Sequence, residues 1–149
     1  MPKLEFDRHV GFAPERMFEL VADLESYPRF IPNCRSMEVR RDSRAGAADV
    51  RFARMTLSFG PITQAYTSRV VLDPTQRTID ARATDGPFSH LVSHWRFEPE
   101  GGGARIHFDI DFKISNPLIA AVAEPAFAAK QREIMDAFVT EAERRYGGA

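Results

Sequence analysis

Between Arg35 and Ser115 the apolar residues recur at every second position, broken only by short clusters rich in glycine, proline and aspartate. A period of two belongs to strands with one buried and one wet face. The clearest run is 104–114, where Ile106, Phe108, Ile110, Phe112 and Ile114 alternate with Arg105, His107, Asp109, Asp111 and Lys113. The separators "SRAGA", "FGPI", "DPTQ", "DGPF" and "EPEGGG" divide the region into candidate strands 36–43, 48–59, 62–73, 76–84, 90–98 and 104–114. Connections this short make consecutive strands pair antiparallel, as a meander. Within 48–59 the parity flips, Val50 and Phe52 giving way to Met55, Leu57 and Phe59, which predicts a bulge near Ala53–Arg54.

The flanks supply the rest of the architecture. Residues 3–10 alternate as a further strand, with Leu4 and Phe6 on one side and Arg8 spoiling that apolar face. "APERMFELVADLES" has Pro14 at a first helical position, and Met17, Phe18, Leu20, Val21 and Leu24 at helical spacing. It must end or bend before Pro28, and a second short helix fits Tyr27 to Phe30. After Ser115, Asn116 and Pro117 form a cap and first-turn pair, and helix formers run to Gly147. Val122, Phe127, Ile134, Phe138 and Ala142 share its apolar side, and Pro125 predicts a kink or break. The expected fold is α+β, a curved seven-stranded antiparallel sheet around a long C-terminal helix. Any gap between sheet and helix would be an apolar cavity.

At 149 residues this is one domain, 1–149, without internal repeat or linker. A net charge of −1 gives no global field for nucleic acid, and no DNA partner is expected. A single cysteine excludes an intramolecular disulfide, and neither a signal peptide nor a membrane span is visible. A cytoplasmic protein is expected, at most peripheral at the inner membrane. The aromatic set is lopsided, with 12 Phe against 3 Tyr and 1 Trp. Phenylalanine offers bulk without a polar tip, which suits a dry core or a greasy pocket wall.

Candidates for chemistry are few. His90 and His94 lie in a strand, where four residues span about 13 Å. Two rings so far apart do not share a zinc ion with bonds of about 2 Å, and no metal site is expected. Cys34 has no partner in sequence and reads as a small buried residue. No glycine-rich phosphate loop, nucleophile elbow or inward carboxylate pair occurs, so no catalytic residue and no catalytic cofactor are assigned. Residues 35–54 hold six arginines against Glu38, Asp42 and Asp49. That surplus, with Arg40, Arg41 and Arg44 at its centre, is either a solvated edge or a contact for phosphates of ribosomal RNA or anionic lipid. No aromatic residue is expected among these arginines on the wet face.

One passage stands apart from ordinary connections, which are polar and exposed. "SYPRFIPNC" packs Tyr27 and Phe30 between Pro28 and Pro32 and ends in Cys34. With the preceding aspartate it resembles the Tyr-Pro-x-Phe-x-Pro-x-Cys signature of the coenzyme-Q-binding START-like proteins, whose bacterial members include RatA-type ribosome-association toxins. "TSRVVLDP", "GPFSHLVSHWRF", "DFKISNPL" and "DAFVTEAERRYG" match later family segments in order, so the likeness runs from about Leu4 to Gly147. One departure is Asn33, where the family usually places Trp.

The resemblance implies a helix-grip fold of the START/Bet v1 kind. It implies a cavity for ubiquinone or a similar isoprenoid quinone, with Tyr27, Pro28, Phe30 and Pro32 at the entrance. Phe59, Tyr66, Phe88, Leu91, Trp95, Phe127, Ile134 and Phe138 are the expected wall. Two alternatives stand beside this reading: a toxin that binds the large ribosomal subunit and blocks subunit association, and a polyketide cyclase-like enzyme.

Overall fold

The computed structural model describes residues 3–46, 48–59 and 62–147; of Ala45, Phe59 and Ile62 it describes the backbone only. The strands are β1 (Lys3–Val10), β2 (Cys34–Arg41), β3 (Asp49–Phe59), β4 (Ile62–Asp73), β5 (Thr78–Ala83), β6 (Phe88–Glu100) and β7 (Gly103–Ile114). They form one antiparallel sheet in the order β1-β7-β6-β5-β4-β3-β2. The meander is thus as expected, with β1 closing the far edge against β7. Helices α1 (Pro14–Ala22) and α2 (Pro117–Tyr146) complete the fold with a 3₁₀ helix at Leu24–Arg29. The long helix lies in the concavity of the sheet and its apolar side is the centre of the core.

Local chemistry explains the boundaries. Pro14 opens α1, and Asp23 leaves the helical region at ψ 66°. The run 13–26 is split at Asp23, and the second short helix expected at Tyr27 to Phe30 is a 3₁₀ turn that starts earlier, at Leu24, and contains Pro28. At the head of α2 the Asn116 side chain accepts hydrogen bonds from the N–H groups of Leu118 and Ile119. Arg8, out of place on an apolar strand face, donates two hydrogen bonds to Asp136 of α2 at 2.9 and 2.6 Å. It ties the edge strand to the helix.

Three expectations need correction. The pairing of β3 with β4 is continuous from Asp49 to Phe59, so there is no bulge at Ala53–Arg54. Val50 and Phe52 face the outer side of the sheet, and Ala53, Met55 and Leu57 the inner side; an apolar pair on the outer face mimicked a change of parity. The register shifts lie instead at Cys34/Ser36 and Phe88/His90. Helix α2 runs unbroken through Pro125. Pro125 and Ala121 are both exposed, so water can take the carbonyl that loses its N–H partner. Val122 is not on the buried side: it is 70% exposed, because the first turns of α2 extend past the core.

The other end of α2 is fastened by charge. Glu141 is buried and accepts hydrogen bonds from Arg144 and Arg145, and Arg145 also donates to Asp23 at 3.0 Å. The Arg144 hydrogen bond foremost, with Arg145 beside it, holds the Glu141 carboxyl down to about 2. Its folded value lies below the ordinary one near 4.3, so its stabilisation is complete above the ordinary value. That contribution is lost as pH falls through about 2. Glu141→Gln should therefore cost on the order of 2 kcal/mol at neutral pH, discounting for the exposed Arg144. Urea unfolding of variant and wild type should converge as the pH falls towards 2.

Candidate functional site

Between α2 and the inner face of β3–β7 lies an apolar cavity of about 120 Å³. It exists because the middle of the sheet carries small side chains. Ala53 pairs across to Ser68, and Ala81 sits between Val70 and Ser93. These four form a low floor, where larger side chains would have met the helix. Aromatic and aliphatic walls surround them: Tyr27, Tyr66, Leu91, Trp95, Phe108, Phe127, Ile134 and Phe138 all line the space. Trp95 packs on Phe108 with ring centroids 4.3 Å apart, and Phe138 meets Trp95 edge-on at 5.2 Å. The lining residues Met37, Met55 and Ile134 keep partial exposure and mark the opening, between β2–β3 and the middle of α2.

The stiff passage before β2 closes one end of this space. Tyr27 is buried, lines the cavity and donates its hydroxyl to the Val21 carbonyl at 2.5 Å. Phe30 stands half-buried behind it, edge-on to Tyr27 and Phe138 at 6.1 and 5.4 Å, with the Arg145 guanidinium over its ring. Pro28 and Pro32 are half-buried and do not reach the cavity. Asn33 has φ 70°, a left-handed conformation that asparagine tolerates and a large aromatic residue does not favour. Its amide donates to the Ser58 carbonyl at 2.6 Å. The departure from Trp at this position thus has a backbone reason here.

Of the other sequence-predicted wall residues, Phe88 lies one layer back, edge-on to Tyr66 at 5.1 Å and against Phe127 at 5.5 Å. Gly86 allows this, since at φ 99° a Cβ there would meet the Cβ of Tyr66 at 2.4 Å. The Phe59 side chain lies outside the described residues. Sequence reasoning missed the floor and Gln131, although a signal existed. Ser68 shares its parity with Tyr66 and Val70, and Ser93 with Leu91 and Trp95, so both hydroxyls had to point inward.

The polar groups of the lining are sparse and neutral. Burial above all pushes the phenols of Tyr27 and Tyr66 well above their usual range, so both remain hydroxyls. No Asp, Glu, His, Lys or Arg lines the cavity among the described residues. The side-chain N–H of Gln131 donates to the Phe127 carbonyl at 3.2 Å, leaving its oxygen available. Neither serine hydroxyl of the floor nor the Trp95 indole N–H has a protein partner among the described residues. Cys34 sits outside the lining, and burial pushes its thiol up to about 11, which keeps it protonated and a poor nucleophile.

The outer face is organised by charge. His94 pairs with Asp80, His107 with Asp7 and Glu98, and His90 with Asp111 at 3.0 Å; each ring is matched to a carboxylate. Arg40, Phe52, Arg69 and Arg82 form one row across β2–β5. The Arg40 guanidinium lies 4.4 Å from the Phe52 ring centroid, so an aromatic residue does accompany these arginines, contrary to expectation. Arg41 falls on the opposite side of β2 from Arg40 and approaches Asp49 at 3.7 Å, and Arg44 sits in the short turn Ser43–Ala45.

A family model described as "polyketide cyclase / dehydrase and lipid transport" matches residues 10–139. The chain belongs to that family. The ribosome association toxin RatA of Pseudomonas aeruginosa is 33% identical over 132 residues, covering 88% of each chain. The mitochondrial coenzyme Q-binding protein coq10 of Schizosaccharomyces pombe is 27% identical and matches 93% of this chain and 85% of its own. Among solved structures, the 18 kDa protein CC1736 of Caulobacter crescentus superposes with a TM-score of 0.81 at 28% identity, covering 99% of this chain and all of its own. The helix-grip fold expected from the sequence is that of the START and Bet v1-like structures.

Proposed function

We propose that this chain binds an isoprenoid quinone, with the quinone ring inside the cavity. The observation that carries this reading is a buried, uncharged cavity with a flat floor, large aromatic walls and a few uncommitted polar groups. Apolar surface supplies affinity, at roughly 0.8 kcal/mol per buried methylene. The Trp95 N–H and the Ser68 and Ser93 hydroxyls supply donors for the ring carbonyls. A relative named for coenzyme Q binding supports the same class of ligand. Cavities of about 150 Å³ accommodate benzene, so a space of about 120 Å³ must widen slightly to take the ring and leaves no room for an isoprenoid tail. The tail must leave through the opening, or the grip must widen to admit it.

A lining without ionisable acid–base groups other than the two phenols argues against a cyclase-type reaction in the cavity. A second reading, association with the ribosome, has its own support: the arginine row on the outer face and relatives named as ribosome association toxins.

Organic extraction of the purified protein, followed by lipid mass spectrometry, should recover a quinone at close to one per chain. Recovery of no isoprenoid lipid, together with failure to take up added quinone, would sink the reading. Trp95→Phe keeps the ring packing and removes the N–H. It should weaken quinone retention by about three- to tenfold, the worth of one hydrogen bond. Unchanged retention would show that the indole plays no part in recognition.

A further inference from the structure

The large hydrophobic residues that are exposed among the described ones lie together: Leu118 at 84%, Ile119 at 40% and Val122 at 70%. All three belong to the first two turns of α2, before the helix reaches the core. From Ser115 to Ala129 the one ionisable residue is Glu124, and its carboxylate accepts a hydrogen bond from the Ile114 N–H at 2.8 Å. The end of the helix is therefore apolar apart from this one carboxylate, which is turned back onto the end of β7. Exposed Lys113, near the end of β7, stands four residues before the first residue of α2.

We propose that this end of α2 is a membrane-docking face that inserts shallowly into a lipid bilayer. The inference rests on the quinone reading and extends it, because it says where the tail goes. A cavity of about 120 Å³ has no room for a tail, so the tail of a bound isoprenoid must be covered by something outside the grip. Ile119 and Ala126, at i and i+7, lie on one side of the helix, and Ile134 follows about 60° round from Ile119 and about 22 Å along the axis. The helix thus connects the exposed patch to Ile134, which lines the cavity. A tail that leaves the opening along α2 would reach a bilayer touching the patch at the helix end. Three large side chains among alanines are too few for a stable dimer, whose interface needs about 20–30 residues a side. A shallow insertion needs only such a wedge, with a lysine at its edge for anionic headgroups.

The test is flotation of the full chain with vesicles of phosphatidylcholine and phosphatidylglycerol. Binding of decylubiquinone delivered from detergent micelles is measured in parallel. Wild type should float with the vesicles, and Leu118→Asp/Val122→Asp should lose at least about tenfold of that binding. Both proteins should melt alike and take up decylubiquinone equally, since neither residue lines the cavity. Leu118→Trp keeps the surface apolar and should float at least as well as wild type. The proposal is overturned if the double variant floats like wild type, or if wild type stays behind. It is equally overturned if sedimentation shows a dimer that the double variant disperses, since a second copy would then cover the face. Loss of micellar quinone uptake with vesicle binding intact would instead remove the quinone reading and leave the docking face standing.

Discussion

Ser93→Leu should abolish quinone retention, by at least about a hundredfold, while leaving the protein folded and no less stable. The asymmetry follows from the floor. Ser93 is buried, has no hydrogen-bond partner among the described residues, and faces empty space rather than a packed neighbour. A leucine there would occupy much of a cavity of about 120 Å³. Filling such space commonly adds about 0.5–2 kcal/mol of stability, whereas a larger side chain in a packed core costs about 1–3 kcal/mol. A rise or no change in melting temperature, with quinone binding gone, is therefore the expected pair of results. Ser93→Ala separates volume from chemistry, since it removes the hydroxyl and leaves the space. It should weaken retention by no more than about tenfold. If Ser93→Leu still carries quinone at wild-type occupancy, the ring is not in this cavity.

The contrast with Phe138 shows why the floor is the better place to intervene. Phe138 also lines the cavity, but it is 1% exposed and its ring meets Tyr27, Phe30 and Trp95. Truncating it would cost about 3–5 kcal/mol, and lost binding could then reflect lost structure. Residues that build the wall also hold the helix against the sheet. Residues of the floor only leave room.

This division also explains what was legible in the sequence. The meander, the capped terminal helix and the aromatic wall announce themselves through period, turn chemistry and bulk. Trp95, Tyr66 and Phe138 could be placed inward by parity and helical spacing alone. Parity turns the floor residues inward as well, but alanine and serine there look like weak strand residues until a helix is laid over them. Val122 and Phe52 misled for a related reason. Both are apolar and in phase with apolar neighbours, yet one lies beyond the end of the core and the other on the outer face. Periodicity reports which residues share a side, and it does not report whether anything covers that side. The break expected at Pro125 does not occur, because a helix tolerates proline where water can take the orphaned carbonyl.

The same outer face yields the second large effect. Arg40→Glu, Arg69→Glu and Arg82→Glu together should remove any association with ribosomes, by at least about a hundredfold, while quinone retention stays at the wild-type level. The three guanidinium groups sit in one row across β2, β4 and β5, with Phe52 between Arg40 and Arg69. Arg40 and Arg82 form no ion pair with a carboxylate among the described residues, and Asp42 stands 3.9 Å from Arg69. Their charge is thus available to phosphates, and an aromatic ring beside them adds a surface on which a base can stack. Each phosphate neutralised should contribute a slope of about −0.7 to −0.9 in log K against log salt. The wild-type slope should accordingly be near −2 to −3, and the triple variant should flatten it. Stability should change little, since ion pairs at a surface contribute about 0–1 kcal/mol. The row and the cavity floor lie on opposite sides of the same strands, so Ser93→Leu and the arginine set should act independently. A respiratory defect that follows Ser93→Leu alone would assign the biology to the lipid. A defect that follows the arginine set alone, with quinone still bound, would assign it to the ribosome and leave the cavity as a passenger.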